Sequence, residues 1–430
     1  MNRILAGLVT CVAVLLLGAC GSSSFNLGSS SPAPTDVVVA AGDGSATVTW
    51  TMTPGVDYWI MLAPTNSITT ANWTSFLGAR SVIKAVSPQL VGGLVNGVTY
   101  AFTVNGRVGN GAGGPGSPSQ AIVPRLAGNV WVPGSALGSA DLLGAGLGSA
   151  VTAGPIGTVS TVTYTFVAVG AGGKIFTSSD GKIWATQNST VTADLRSAIF
   201  GGSYVAAGAN GTIVQSTDAV NWAAKTSGTS SALNGLATNG AGTYVAVGAN
   251  GSITTSTDSG ATWRLVTSGT TQHLFAVTYG SSGGINVFVA VGAQGTILAS
   301  ADGLTWTSAT TAAPTTADLK GIAYTPTLIV SGLVTNMPTW VAVGSGGSII
   351  TSNDAAAWTL RASGSSNSLN AASYNTRFVT VGNAGTVLTS DDGISWQAQA
   401  SNTISNLAAI THNLYGYLVV GAAGTNLTAF

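Results

Sequence analysis

The chain has 430 residues, 13 basic and 13 acidic side chains and a formal charge of zero. Only 6% of its residues are charged, against about 25% in an ordinary soluble domain, so the clustered cations that nucleic acid would need are missing. Every acid is an aspartate, which excludes any mechanism that requires a glutamate. Apolar residues at 45% argue against a disordered chain. Gly, Thr, Ser and Val in short alternating runs predict an all-β protein, long enough for two or three domains.

The first elements are an address. Asn2-Arg3 gives a short positive end, and Ile4 to Leu17 is an apolar run of 14 residues, shorter than the roughly 20 of a spanning helix. Such a segment is a signal peptide and is set aside from the fold. It ends in Leu17-Gly18-Ala19-Cys20, which resembles a bacterial lipobox. That resemblance implies a signal peptide over 1–19, a lipid on Cys20 and a lipid-anchored mature chain. Gly21 stands where an aspartate would imply inner-membrane retention, so the expected location is the outer membrane. Residues 20–32 read as a flexible tether. Cys11 falls in the discarded run, leaving the mature chain no disulfide pair and no thiolate metal site.

Residues 33–125 form a first β domain. Ala46-Thr47-Val48-Thr49-Trp50 alternates like a strand, Asp57 to Met61 supplies the next, and Asn96-Gly97 is a turn signal before the alternating run Val98 to Val104. The stretch resembles a fibronectin type III module over its whole length. The resemblance implies a β-sandwich in which Trp50, Tyr100 and Phe102 are core and Tyr100 returns its hydroxyl to the backbone at a sheet corner.

Residues 126–430 repeat. An aromatic-aliphatic-x-Val/Ala-Gly motif recurs seven times, ending at Gly170, Gly208, Gly248, Gly292, Gly344, Gly382 and Gly421, with spacings of 38, 40, 44, 52, 38 and 39 residues. A period near 40 with strand-like runs predicts four-stranded propeller blades, seven in number. The first six copies are followed by Ser-x-Asp and a tryptophan, the acids being Asp180, Asp218, Asp258, Asp302, Asp354 and Asp392. These motifs resemble the Asp-box (BNR) repeats of sialidase-type propellers. The third has the usual spacing, the others are one residue shorter, and the second and fifth lack the glycine. Ser and Asp in such a box accept backbone N–H groups of a hairpin turn, so the six acids read as structural. The seventh copy stops after its third strand. Asn129-Val130-Trp131-Val132 offers a strand and a tryptophan, and is expected to complete that blade and close the ring.

Candidate chemistry lies where the inner strands begin. Alignment on their leucines places Asp194, Arg196, Asn234, His273, Asp318, Lys320, Asn370 and Asn406 at one level of the repeat. Charges there cannot pack between blades without a large desolvation cost, so this ring is the candidate binding rim at the channel mouth. Strand alternation puts Asp194 and Arg196 on one side and Leu195 on the other. His273 and His412 stand alone on their strands. A sialidase mechanism fails for want of glutamate and of an arginine triad. An inverting glycosidase would need two carboxyls about 6.5–9.5 Å apart, drawn from Asp141, Asp194, Asp318 and Asp391. The repeats are also similar to the seven-bladed photosystem II assembly factors, through the VAVG and S-x-D-G-x-x-W pairs. That likeness implies a non-enzymatic platform. The reading is an outer-membrane lipoprotein with no cofactor and no metal, binding an envelope protein or glycan, the alternative being a glycan-cleaving hydrolase.

Overall fold

The structure is a computed structural model that describes residues 28–109, 111–152, 161–282, 285–309, 314–325, 329–330, 333–334 and 340–429. The signal peptide expected over 1–19, the lipid site expected at Cys20 and most of the tether expected over 20–32 lie outside the described residues. Among the described residues no helix is long and apolar enough to cross a membrane. The chain divides into two compact units: Ser45–Pro124 with the residues before Gly42, and Arg125–Phe430 with Gly42–Gly44.

In the first unit, Val56–Ala63 and Tyr100–Val108 pair antiparallel along their length, from Val56 with Val108 to Ala63 with Ala101. Arg80–Ala85 flanks the former, and Ser29–Ser30 and Gln120–Ile122 flank the latter. Val38–Gly42, Ser45–Thr49 and Gln89–Val91 make a second sheet. The two sheets share one core, with Val39, Ala46, Val48 and Val91 from one side meeting Ile60, Leu62, Phe102 and Val104 from the other. Trp50 packs against Tyr58 with the rings tilted and their centroids 5.5 Å apart, and the Tyr100 hydroxyl accepts the Val95 N–H at 3.3 Å. Val56–Ala63 reads as a nearly continuous apolar run because both its faces are covered. Met61 and Ala63 pack with Ile68 and Ala101, under Trp73 and Phe76.

The second unit holds seven four-stranded antiparallel sheets among its described residues. They occupy 142–187, 195–225, 233–266, 274–308, 319–361, 369–399 and 407–429, in the order first, second, third and outer strand. The first strands touch one another in sequence order, and that of the seventh sheet touches that of the first, so the sheets form a closed cycle. Second strands such as Tyr244–Gly248 are buried at every residue, because a neighbouring sheet covers each face. Each ends in an Ala-x-Gly-type turn whose middle residue is left-handed, as at Asn210 (φ 55°) and Ala384 (φ 52°). The glycine after it lies against the next connection. A Cβ on Gly211 would stand 1.9 Å from the Thr229 carbonyl oxygen.

The seventh sheet takes its outer strand from the other end of the unit. Val132–Pro133 pairs antiparallel with Asn426–Ala429. The strand begins three residues later than Asn129, where sequence reading started it, because Trp131 is spent on packing. Its ring is 1% exposed and its indole N–H reaches the Gly128 carbonyl at 2.9 Å. Box tryptophans do the same with the carbonyl three residues before them, for example Trp222 to Ala219 at 3.1 Å and Trp306 to Gly303 at 3.2 Å. Gly128–Trp131 thus supplies the end of a box without its serine and aspartate.

Candidate functional site

The boxes sit in the turns between third and outer strands. In the first, the Asp180 carboxylate accepts the N–H groups of Lys182 and Ile183 at 2.8 and 2.9 Å, and the Ser178 hydroxyl accepts that of Gly181 at 2.9 Å. In the other five the carboxylate again accepts N–H groups of its own turn. The longer third box absorbs its extra residue by placing Ser259 and Gly260 both at positive φ, so that Gly260 still donates to Ser256 and Thr262 to Asp258. Where the glycine is missing, Ala219 and Ala355 adopt φ of 62° and 60°. The N–H and side-chain amide of Asn221 hold Asp218 well below the ordinary carboxylate range. The Thr262 hydroxyl and N–H bring Asp258 to about 2. Backbone N–H donors also lower Asp302 and Asp354. Burial pushes Asp392 up, and the N–H groups of Ser395 and Ile394 outweigh it. The tryptophans close seams, with Trp222 packed against Val167 and Val169 of the preceding sheet.

The rim lies where the first strands start. In five of the seven sheets the residue just before the first strand's leucine reaches back to the preceding sheet and caps its left-handed turn. Asp194 accepts the Gly172 N–H at 2.8 Å, His273 Nδ1 that of Asn250 at 3.1 Å, Asp318 that of Gln294 at 3.1 Å, and Asn406 that of Ala384 at 3.0 Å. Asp141 accepts the Ala423 N–H at 2.9 Å and so ties the first sheet to the seventh. An accepting Nδ1 leaves Nε2 as the ring's donor nitrogen. Among the described residues, Ala232 and Ser368 make no such bond to Asn210 and Gly346, so two seams lack the cap.

The residue after each leucine is a β-bulge, since pairing skips from Leu195–Gly208 to Ser197–Ala207 and likewise in every sheet. This corrects the alternation argument. The bulge turns the Arg196 side chain forward, to Asn234 Oδ1 at 2.8 Å in the third sheet, while Asp194 reaches back to the first. Asn234 continues forward to the Leu274 carbonyl at 2.9 Å, and Asn370 to that of Leu407 at 2.8 Å. Lys320 occupies the same bulge in the fifth sheet. On this end, hydroxyl-lined clefts of about 480 and 680 Å³ lie beside Asn210 and Asn250, walled by the Ser227-Gly228-Thr229 and Ser268-Gly269-Thr270 connections.

The remaining acid candidate, Asp391, pairs with Arg377 at 2.9 Å. Arg377 also donates to Asn129 Oδ1 at 2.5 Å. His412 is half-buried in the seam between the sixth and seventh sheets, its Nδ1 2.8 Å from the Ser373 hydroxyl, and burial pushes its imidazole down to about 4. It fills the strand position held by Phe200, Tyr279, Tyr324 and Tyr374 elsewhere. Among the described residues no group of three His, Cys or Asp side chains is placed to hold a metal. Sequence reading missed the capping role of Asp141, Asp194, His273, Asp318 and Asn406. For all but Asp141 the signal is an acceptor directly before the leucine, 22 to 24 residues after the capped turn.

Sheets in a closed cycle with box turns between third and outer strands define a β-propeller. No protein-family model and no curated protein matches the sequence. Among solved structures the chain is similar to YCF48 bound to D1 peptide, at 18% identity and a TM-score of 0.52, over 70% of this chain and 94% of that one. It is also similar to YCF48 from Cyanidioschyzon merolae, at 17% identity and a TM-score of 0.49, over 70% of this chain and 98% of that one. At these identities the likeness is one of fold.

Proposed function

We propose that this chain is a lipid-anchored lipoprotein of the outer membrane whose seven sheets are the blades of a seven-bladed propeller. On this reading the ring is a non-enzymatic platform for an envelope protein, and a fibronectin III-like module joins it to the anchor on Cys20. The observation that carries the platform reading is the use of the acids. The propeller has ten aspartates and no glutamate. Nine accept backbone N–H groups of their own fold, and Asp391 pairs with Arg377. A general acid or base must be released to exchange a proton with substrate. A protein ligand is supported by the D1 peptide of the YCF48 complex. The docking end is the rim, which carries Arg196, Lys320 and His273 near the hydroxyl-lined clefts.

The test uses the chain from Ser22 onward, immobilised over solubilised envelope and over a glycan array. A retained envelope protein, once purified, is expected to bind stoichiometrically and to weaken at least tenfold against Arg196→Ala/Lys320→Ala. Glycan hydrolysis by wild type that is lost in Asp141→Asn/Asp194→Asn would overturn the platform in favour of the hydrolase.

A further inference from the structure

The first unit exposes apolar side chains at the end where the chain enters it. Val56 and Ser29 both pair with Val108, so that end holds the start of the first described strand. Arg80–Ala85 finishes there, because Ala85 pairs with Tyr58. The loop through Met52 closes the same end: the Thr53 N–H donates to the Tyr58 hydroxyl at 3.1 Å, and the Ser87 N–H rests on the Met52 sulfur at 3.3 Å. Pairing in Arg80–Ala85 is interrupted between Val82–Ile60 and Ala85–Tyr58. Lys84 takes φ 51° at that irregularity, and the bulge turns Ile83 and Lys84 outward. Ile83 is 60% exposed, Val86 59%, Val108 41% and Met52 40%, with the exposed Lys84 among them. Asp36, at the same end, is engaged by the N–H and hydroxyl of Thr51.

Chain length says what this end faces. Eight residues, Gly21 to Gly28, separate Cys20 from Ser29, and they span at most roughly 28 Å. The opposite end, where Leu77 is 97% exposed and Gly78 lies against Pro64, stands one eight-residue strand farther, about 26 Å, so resting that end on the bilayer would require the tether to be almost fully extended, whereas the entry end needs no such extension. We infer that the Met52–Ile83–Val86–Val108 end rests on the bilayer that carries the Cys20 lipid, its apolar side chains at the interface and Lys84 among anionic head groups. The inference depends on the anchor proposed above. It gives the first unit a task besides joining the second to the anchor, holding its own entry end against the membrane.

The test uses full-length lipidated protein in phosphatidylethanolamine/phosphatidylglycerol vesicles. Cys11 and Cys20 are the only cysteines, so once one is removed with the signal peptide and the other carries lipid, an introduced thiol labels alone. Val86→Cys and Leu77→Cys each receive an environment-sensitive dye, read against nitroxide head-group lipids. Quenching at Val86→Cys about threefold stronger than at Leu77→Cys is expected. Lipid on Cys20 by mass spectrometry with equal quenching at the two sites overturns this inference alone. An N-terminal peptide without lipid overturns the anchor, and the inference with it.

Discussion

The seventh sheet and the second make the same object by different routes. The second comes from one stretch, 195–225, and every strand pairing in it is local. The seventh joins residues from both ends of the unit. The bond from the Asn426 amide to the Ser135 carbonyl spans 291 residues, against 40 for the Asn234–Leu274 link between neighbouring sheets. Closing the longer loop costs roughly 1.8 kcal/mol more in chain entropy. The parts that meet are nevertheless the ordinary ones: an outer strand, a seam tryptophan and an Asp141 cap. What the seventh sheet has in addition is polar ties, from Asn426 to Ser135, Asn402 to the Trp131 carbonyl and Arg377 to Asn129. At about 0.5–1.5 kcal/mol each, these offset the longer loop. Closure therefore needs no special device, only the repeat's own contacts and a few extra bonds.

The strongest test of that comparison is the tryptophan. Trp131→Ala should cost about 3–5 kcal/mol in chemical denaturation, because it empties a site that is 1% exposed. Trp222→Ala should cost as much if the two sheets are equivalent. A clearly greater loss at Trp131 would show that closure governs the whole ring. Next in size is His412, the seventh sheet's departure from the aromatic its neighbours use. Its folded pKa of about 4 lies below the unfolded value near 6.5, so its contribution is complete above pH 6.5 and is lost as pH falls toward 4. Between pH 7 and 5 the loss should be about 2 kcal/mol, and His412→Tyr should abolish it in thermal melts.

The caps come third. Asp141→Ala and Asp194→Ala should each cost about 1 kcal/mol. Hydrogen exchange should quicken in both sheets flanking the mutated seam, whereas Asp302→Ala should quicken it only in its own turn. Equal, local effects for all three would erase the distinction between caps and boxes. The smallest change is a gain. Ala232→Asp supplies the missing acceptor for Asn210 and should stabilise by about 0.5 kcal/mol, and no shift in the denaturation midpoint would argue against the cap as a unit of stability. The box aspartates set the acid limit. With folded pKa values below the unfolded one, Asp218, Asp258, Asp302, Asp354 and Asp392 contribute above about pH 4 and lose their contribution as pH drops through their lowered values.

What could be read from the sequence follows the range of each interaction. The boxes were legible because Ser178 and Asp180 satisfy a turn two to three residues away. The closing segment was legible because the seventh copy lacks a fourth strand, although the spent Trp131 displaced its start. The caps were not, because Asp194 and Gly172 lie 22 residues apart on different sheets. Nor was the bulge at Arg196, which no glycine or proline marks. Alternation alone therefore put Asp194 and Arg196 on one side, and the fold sends them to opposite neighbours.

The closing strand also sets a timetable. A ribosome makes Val132–Pro133 before any of the seven sheets, and its partner Asn426–Ala429 after nearly all of them. For that whole interval the early strand has no mate and the growing array keeps an open flank. The ring is thus completed only after residues 426–429 have emerged, in whatever compartment they have by then reached. Quality control in that compartment meets either a finished circle or an incomplete one with a free edge.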